Sequence, residues 1–430
     1  MIQGLRVLAA PMLLAGVALF AGVQPTLLVT GRIAPLDWLV PEGGALISMM
    51  ILAARGGRRA GLQRTLLYLA LATLPPLLLN VLSATRIPWA GILELTAILS
   101  VTAAILSRVI GRPRVVVGGA ILACLVILGG FQGLALFAGL PSTPAADPRV
   151  GVMSALRLFH DQRAGNGPLD VGGRAPVLAA ARVQGEPLDV LDTDALKGFD
   201  RLLLVQPRLL RPEELVALDA WVRAGGRVVI LADPLLHWPD GRPLGDPHRA
   251  PLTSLLDPLL THWGLVLEPA DARAPEERRV LAKGALLQLA SPSRFTLAPG
   301  APCELEERGL IARCHIGEGS AVLVADADWI DDALWTLDPA HPRDPRRWTS
   351  DAVPVLERLI RGEDGPFPPT WPWLISQEAL ISALRWALSL ILLLGVLLAR
   401  LGPIPISTHD PPMPRRGGKA DSGGAFPNSG

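Results

Sequence analysis

The stretch FDRLLLVQPRLLRPEELVALDAWVRAGGRVVILADP, residues 199–234, decides the fold of the region around it. An apolar run, Leu202–Val205, precedes a helix signal that opens with Pro212 and two acids, as the positive end of a helix dipole favours. The Gly-Gly pair at 225–226 predicts a left-handed stop to that helix, and a second apolar run, Val228–Ala232, follows. Two apolar strands joined by a helix predict a right-handed parallel β-α-β unit.

Composition divides the chain into apolar ends and a globular middle. Of the 430 residues, 50% are hydrophobic and 18% are charged, and the formal net charge is +1. Nucleic-acid binding needs a basic footprint, so this balance argues against nucleic acid as a partner. Long apolar runs fill 1–140 and 379–401, whereas 141–378 has an ordinary globular composition.

Several apolar segments are long enough to cross a bilayer, which needs ~20 mostly apolar residues. They are Leu5–Val29, Leu36–Ala54, Thr65–Ala84, Trp89–Ile110, Val115–Leu140 and Ala379–Leu401. The segment at 36–54 contains Asp37 and Glu42, so it either spans with its acidic end at the interface or is re-entrant. The tryptophans near predicted membrane edges are expected to form aromatic belts: Trp38, Trp89, Trp371 and Trp373.

The distribution of basic residues favours six spans. Basic residues precede the first span and follow the second, fourth and sixth, whereas the intervening short loops carry only Arg32 and Arg86. If all six segments cross, every basic cluster lies on one side, as the positive-inside rule requires. The sequence therefore predicts a multi-pass protein in contact with the lipid of the bacterial inner (plasma) membrane. Both termini are expected in the cytoplasm and the soluble domain outside it, in the periplasm.

The predicted organisation places one soluble domain between membrane segments. Residues 1–140 form the N-terminal membrane domain of about five spans, and a linker at 141–148 leads to an α/β domain at 149–361. A Pro-rich linker at 362–378, a C-terminal span at 379–401 and a disordered cytoplasmic tail at 402–430 complete the chain. Alternating strands and helices predict a mostly parallel, three-layer α/β sheet domain inserted between transmembrane helices.

The cysteines of the globular region are placed so that they can pair. Cys303 and Cys314 flank CELEERGLIARC. If the Arg-Gly dipeptide at 308–309 is a two-residue hairpin turn, the two cysteines face each other at the Cβ separation that a disulfide needs. A disulfide fits an oxidising compartment. The alternative is two buried free cysteines on neighbouring strands, and Cys124 is expected to be a packing residue within a span.

Candidate ligand-binding residues lie at the carboxyl ends of the predicted strands, where ligands of parallel α/β sheets usually bind. They are Gln206, Asp233, Asp326 and Asp328. Asp326 and Asp328 could bind a cation through oxygen or cap a helix that begins near Trp329. Their spacing does not match an EF-hand, which favours capping, so the sequence predicts no metal and no cofactor.

Recognisable catalytic motifs are absent from the sequence. A hydrolase or amidotransferase on this fold needs a nucleophile on a strand-to-helix elbow of the type G-x-S-x-G, and no such pentad occurs. The chain also has no G-x-G-x-x-G and no P-loop. We therefore expect a protein that is not an enzyme.

Three motifs resemble the GldG-type family, the extracytoplasmic auxiliary subunits of ABC transporters. They are FDRLLLVQP, LRPEELVALDAWVRAGGRVVILADP and IGEGSAVLVADADWIDD, followed by a C-terminal span, and the resemblance covers roughly residues 148–400. It implies a fold similar to class I glutamine amidotransferases, with flavodoxin-like topology but without their nucleophile. It also implies a non-catalytic partner of an ABC permease and its ATPase. The chain departs from the family in having a multi-span N-terminal region where a single anchor would be expected.

The leading hypothesis from the sequence is a membrane accessory component whose exported domain binds substrate, envelope or permease. One alternative is an envelope hydrolase that uses the carboxylates at the strand ends. Another is a membrane sensor of a small ligand at the same edge of the sheet.

Overall fold

A computed structural model describes residues 2–23, 26–55, 62–109, 112, 114–137, 149–159, 175–246, 249–271, 276–363 and 365–400. The linker predicted at 141–148 and the tail predicted at 402–430 lie outside these ranges.

The apolar ends of the chain form a helical bundle. Its helices are α1 Ile2–Val23, α2 Leu27–Thr30, α3 Leu39–Arg55, α4 Leu62–Ser83, α5 Trp89–Val109, α6 Arg114–Phe137 and, from the C-terminal region, α13 Gln377–Arg400. Four helical segments of the described chain are long and apolar enough to cross a membrane: Pro35–Ala53, Gln63–Ser83, Trp89–Val109 and Gln377–Arg400. Helices α1 and α6 contribute the shorter apolar stretches Ala10–Val23 and Val116–Leu128.

The bundle is apolar on both its inside and its outside. Leu19, Leu46 and Met49 are fully buried between helices, whereas Leu93 and Leu122 are 66% and 64% exposed. An exposed apolar surface of this extent is typical of a membrane contact.

Two of the tryptophans predicted to form aromatic belts are instead core residues. Trp38 and Trp373 are fully buried, and Trp38 Nε1 donates to the carbonyl oxygen of Leu19 at 3.1 Å. A buried indole N–H needs a hydrogen-bond partner from the protein, whereas a tryptophan at the membrane surface can use water or lipid head groups. Trp89, at 59% exposed, does lie on the outer surface.

The middle of the chain forms the α/β domain that the sequence predicts. Its strands are β1 Arg149–Ser154, β2 Gln184–Pro187, β3 Arg201–Val205, β4 Arg227–Leu231, β5 Leu265–Glu268, β6 Glu276–Val280, β7 Leu286–Ala290, β8 Arg294–Leu297, β9 Cys303–Glu306, β10 Ile311–Ile316 and β11 Gly319–Val324. Seven of them form one sheet in the order β2-β1-β3-β4-β11-β10-β9. The pairings from β2 through β11 are parallel, and β10 and β9 add an antiparallel edge. Separate antiparallel pairs are β5–β8 and β6–β7.

The sheet is covered on both faces, as in a three-layer architecture. Leu203 and Val229 belong to the core on one face, and their neighbours Leu204 and Ile230 belong to the core on the other. Alternation of this kind follows from the period of two along a strand. The helices of the domain are α7 Pro176–Ala180, α8 Thr193–Leu196, α9 Pro212–Arg223, α10 Asp257–His262, α11 Asp332–Trp335 and α12 Ala352–Arg361.

The β-α-β unit at 199–234 is confirmed as β3-α9-β4, with parallel pairing between its strands. Gly225 follows the helix with φ +110°, a left-handed conformation that suits glycine. At the other end of α9, Glu214 is buried, and it accepts hydrogen bonds from the backbone N–H of Leu191 and from Arg208. Chiefly through the Arg208 hydrogen bond, the pKa of Glu214 falls to about 2.

Other local predictions hold to different degrees. A disulfide joins Cys303 to Cys314, which face each other in the antiparallel register of β9 and β10. The hairpin turn is a 3-10 turn over Glu307–Gly309. From sequence alone, residues 187–191 (PLDVL) predict the second strand of the domain, and this prediction is wrong, because β2 is Gln184–Pro187. These four residues pair with β1, and the N–H of Leu188 adds one bond to the carbonyl oxygen of Val152 at 2.8 Å.

Candidate functional site

The strand-end residues predicted as ligand-binding come together at one edge of the sheet. Asp233 follows β4, and Asp326 and Asp328 follow β11, which is the parallel neighbour of β4. One oxygen from each of these three carboxyl groups lies within 4.8 Å of the others, and all three side chains are buried. We refer to Asp233, Asp326 and Asp328 as the strand-end cluster.

Gln206 lies beside the cluster and uses its whole side chain to hold the backbone. Its Oε1 accepts from the N–H of Asp233 at 2.9 Å, and its Nε2 donates to the carbonyl oxygens of Asp233 and Pro251 at 2.8 and 3.0 Å. The residue is 1% exposed and has a φ of +42°. This amide joins two loops, with both of its donor hydrogens and one of its two acceptor positions occupied.

Asp233 is the member of the cluster best suited to carry a negative charge. Its Oδ1 accepts from the N–H of Leu235 at 2.7 Å, and its Oδ2 accepts from the N–H of Ala327 at 3.1 Å. Hydrogen bonds from backbone N–H groups favour the ionised form, although burial raises the pKa of Asp233 above its ordinary value.

Asp326 uses both oxygens in the same way. Oδ1 accepts from the N–H of Trp329 at 3.1 Å, and Oδ2 accepts from the N–H of Ala290, at the end of β7, at 3.2 Å. The first bond reaches the second residue of the 3-10 turn Asp328–Ile330, whose N-cap residue is Ala327 and has no side-chain capping bond. The helix itself starts later, at Asp332, and is capped by Asp331.

Asp328 does not cap the turn that it begins. Its Oδ2 reaches across the sheet edge to the N–H of His237, at 2.8 Å, in the loop after β4. Its Oδ1 accepts no hydrogen bond from the described residues, and its carboxyl group lies close to that of Asp233. Because both oxygens of Asp233 already accept N–H bonds, the proton of this pair belongs on Asp328, which then donates.

Electrostatics support a shared proton. Burial, and then the charge of Asp233, raise the pKa of Asp328 to about 8. Burial, and then the charges of the other two carboxylates, raise the pKa of Asp326 well above its ordinary value. Three ionised carboxylates so close together in a buried site would repel one another, so the cluster retains at least one proton near neutral pH.

This arrangement suits a structural role better than a cation site. Ca²⁺ takes six to eight oxygen ligands and Mg²⁺ needs an octahedral set. Here five of the six carboxyl oxygens already accept backbone N–H bonds, and only Oδ1 of Asp328 does not. The cluster joins the loop after β4, the turn after β11 and the end of β7.

The segment before α13 forms a junction that the sequence did not reveal. It is hydrogen-bonded through its backbone to the loops that end α2 and α4, by Leu374 N to Gly31 O (2.8 Å), Ile33 N to Pro372 O (2.8 Å), Thr85 N to Trp373 O (2.7 Å) and Ile375 N to Ser83 O (2.9 Å). These bonds bring the α2 loop, the α4–α5 loop and the start of α13 to one end of the bundle. The α/β domain meets the bundle at that end.

Asp351 links the junction to the domain. It is fully buried and accepts from the N–H of Leu286 on β7 (2.8 Å), the N–H of Thr370 (2.8 Å) and Nε1 of Trp373 (2.7 Å). Burial raises its pKa to about 6. Its position before α12 reads as an ordinary helix cap in the sequence, but its side chain makes no capping bond to that helix.

Comparisons with known proteins do not assign a family. No protein-family model matches the chain, and no curated protein matches it significantly. Solved structures give only distant likenesses. An exo-beta-1,4-mannosidase from Opitutaceae bacterium strain TAV5 is 12% identical, with a TM-score of 0.28, over 53% of this chain and 38% of that one. A beta-galactosidase from Rahnella sp. R3 is 14% identical, with a TM-score of 0.26, over 50% of this chain and 33% of that one.

A third likeness is to a ThuA-like protein from Bacteroides uniformis. It is 10% identical, with a TM-score of 0.26, over 53% of this chain and 97% of that one. The chain spans between 33% and 38% of the length of the two glycosidases. At these TM-scores, none of the three likenesses bears on the activity of this chain.

Proposed function

We propose that this chain is a non-catalytic integral membrane component of an ABC-type transport system, with an exported α/β domain that binds substrate, envelope or permease. The observation that carries the proposal is the junction at 370–375, which is hydrogen-bonded to the bundle loops on one side and to Asp351 of the domain on the other. Such a junction holds the domain in a fixed position on the bundle. A fixed position is what a docking platform for membrane partners requires.

The arrangement of the bundle supports a six-span topology. The ends of α2 and α4 and the start of α13 meet the domain, so Arg64, Arg108 and Arg400 lie toward the opposite ends of α4, α5 and α13. That distribution agrees with the positive-inside rule if the domain is outside the cytoplasm.

The disulfide supports the same placement. Cys303 and Cys314 are bonded within the α/β domain. Structural disulfides persist in oxidising compartments and are rare in the cytoplasm. Export of the domain and retention of both termini in the cytoplasm account for the disulfide and the arginine distribution together.

The strand-end cluster favours a scaffold over a hydrolase. Asp233, Asp326 and Asp328 are at most 2% exposed, and their oxygens hold loop backbones together. A general acid or base must reach a substrate at hydrogen-bonding distance, which buried carboxyl groups cannot do without a local opening. The link to ABC transport itself rests on the resemblance of the three motifs to GldG-type subunits.

Co-purification tests the proposal. The full chain, tagged at its C-terminus and expressed in its native host, is cross-linked, solubilised in detergent and purified. Mass spectrometry then measures co-purifying proteins against an unrelated multi-pass membrane protein that carries the same tag. We expect enrichment of an ATPase with a P-loop and of a multi-span permease.

A junction variant sharpens the experiment. Trp373→Ala removes the indole that bonds to Asp351, so we expect the domain to lose its fixed position and the enrichment to fall. Absence of any P-loop ATPase from the wild-type sample would contradict the proposal. Hydrolysis of an envelope polymer by the pure chain, lost in Asp328→Asn, would replace it with the hydrolase hypothesis.

A further inference from the structure

Arginines gather at the edge of the junction, where the bundle meets the domain. Arg32 belongs to the loop between α2 and α3, Arg278 to β6, and Arg346 to the turn Pro345–Arg347. The backbone of Arg32 pairs with that of Trp373, and its guanidinium lies 4.6 Å from the centre of the Trp371 ring. We call Arg32, Arg278 and Arg346 the junction arginines.

Arg278 is a partly buried cation with too few partners. Its Nε and Nη2 are buried and have no hydrogen-bond partner among the described residues. The guanidinium packs against Gly31, where an added Cβ would lie 2.8 Å from Nη2. Burial lowers the pKa of Arg278, and no carboxylate contributes to offset that shift. A cation removed from water without a counter-charge is costly unless an anion joins it.

Arg32 repeats the pattern beside it. Its buried Nε also lacks a partner within the described part of the chain. Burial lowers its pKa, the charge of Arg346 lowers it further, and the carboxylates of Asp37 and Asp344 oppose that shift. Arg346 is itself paired with Asp344, so the unfilled donors are those of Arg32 and Arg278. Unfilled guanidinium donors on neighbouring arginines indicate a place for an anion.

A cavity opens next to Arg346. It has a volume of about 620 Å³ and is lined by residues of the 340–347 loop, among them Asp344 and three arginines, Arg343, Arg346 and Arg347. This volume is within the range of small-molecule sites, about 300–1,000 Å³. Arg346 therefore belongs both to the cavity wall and to the electrostatic surroundings of Arg32.

The surroundings of the junction arginines are suited to a lipid. Leu28 and Val29, just before Arg32 in the chain, are 61% and 56% exposed, and they belong to the short helix α2 at this end of the bundle. Exposed apolar side chains next to unfilled guanidinium donors match a molecule with acyl chains and an anionic head group.

We propose that Arg32 and Arg278 bind the phosphate of an anionic phospholipid of the outer leaflet, with Arg346 beside them. The phosphate accepts from the unfilled guanidinium nitrogens of Arg32 and Arg278. Arg346, whose Nε and Nη2 donate to Asp344, adds positive charge nearby. The acyl chains lie against the apolar surface that includes Leu28 and Val29. The assignment to the outer leaflet depends on the topology in the proposed function. Recognition of the phosphate is independent of that topology, so it can be tested on the purified chain alone.

The experiment uses the full chain in detergent and measures bound lipid by native mass spectrometry and thermal stability by tryptophan fluorescence. Phosphatidylglycerol is compared with phosphatidylcholine, and inorganic phosphate is a separate arm. We expect phosphatidylglycerol to be retained in preference and to raise Tm. Arg278→Gln and Arg32→Gln should each weaken its binding about tenfold, since each removes a charged hydrogen-bond donor. Arg294→Gln, which affects only an exposed ion pair with Glu268, should bind lipid as the wild type does.

The lipid-free state provides a second readout. Arg278→Gln removes an uncompensated charge, so without phosphatidylglycerol its Tm should equal or exceed that of the wild type. If that variant does not fold, Arg32→Gln takes its place, because the buried Nε of Arg32 likewise has no partner among the described residues.

Three results would overturn the proposal: equal retention of the two lipids by the wild type, undiminished binding by the variants, or stabilisation by inorganic phosphate without preference for the anionic lipid. The last would identify a site for a soluble phosphate. None of them depends on an ABC partner, so failure of the co-purification and failure of the lipid site can be told apart.

Discussion

Replacing Asp328 with asparagine tests whether the strand-end cluster is a proton-sharing structural group. In the wild type, Oδ2 of Asp328 accepts from the N–H of His237, and its carboxyl group lies close enough to that of Asp233 to share a proton with it. An asparagine can keep both interactions, because its oxygen accepts and its amide group donates. The variant therefore imitates the protonated aspartic acid at every pH.

The magnitude follows from the pKa. Folding raises the pKa of Asp328 from 3.8 to about 8. A carboxyl group with a raised pKa contributes stability that is fully present below the unfolded pKa and is lost as pH rises through the folded pKa. At about 1.36 kcal/mol per unit, the wild type loses roughly 2–3 kcal/mol between about pH 6 and pH 8, and the variant keeps it. For a domain of this size, that is a change in Tm of roughly 4–12 °C.

The assay is thermal unfolding of the full chain in detergent at about pH 6 and about pH 9, followed by tryptophan fluorescence. We expect the Tm of Asp328→Asn minus that of the wild type to increase at the higher pH. Asp326→Asn is the matched control, because both oxygens of Asp326 accept N–H bonds from Ala290 and Trp329. Its amide would face a buried N–H, so it should lose about 1–3 kcal/mol at both pH values.

A proton-sharing structural role for Asp328 is excluded if Asp328→Asn destabilises the chain as much as Asp326→Asn at both pH values. That result would mean that Asp328 is needed as a carboxylate, as a cation site or a catalytic group would require. A rise in wild-type Tm on addition of Ca²⁺ or Mg²⁺, abolished in the variant, would point to the cation.

Three other substitutions test separate parts of the structure by Tm. Glu214→Gln should lower the free energy of unfolding by about 1–3 kcal/mol near neutral pH. Because folding lowers the pKa of Glu214 to about 2, its contribution to stability is present above the unfolded pKa of 4.5 and should fade as pH falls toward 2. A loss of stability that does not depend on pH would contradict this. Trp373→Phe removes the hydrogen bond to Asp351 and should lower the free energy of unfolding by about 1–3 kcal/mol, with a lower Tm. Proteolysis of the 362–376 segment should increase, and unchanged proteolysis would argue against the junction. Cys303→Ser should cost about 2–4 kcal/mol, and mass mapping without reductant should find both Cys303 and Cys314 protected in the wild type, whereas two free thiols would contradict the bond.

Local sequence signals account for most of the α/β scaffold. The unit at 199–234 is predictable because a helix stop at Gly225 and two flanking apolar runs act within a few residues of one another. The facing positions of Cys303 and Cys314 follow from hairpin register, which is also local. The error at β2 has the opposite origin, since the short strand is fixed by its pairing with β1 and not by its own composition.

The roles of the site residues depend on contacts that sequence distance hides. Spacing places Asp233 and Asp326 at neighbouring strand ends, but it does not show that their oxygens bind the backbone of Leu235, Ala327 and Ala290 and leave none for a ligand. The junction is similar, because its hydrogen bonds join residues near 31 and 84 to the segment before α13. No local sequence pattern predicts hydrogen bonds between residues so far apart in the chain.

Accessibility of the α/β domain from outside the cell tests the central claim most directly. In a Cys124→Ala background, Val216→Cys on the exposed face of α9 and Arg112→Cys between α5 and α6 are treated with a membrane-impermeant maleimide in intact spheroplasts. We expect the cysteine at 216 to be labelled and the one at 112 to be labelled only after the membrane is permeabilised. The reverse pattern would place the domain in the cytoplasm and contradict its export.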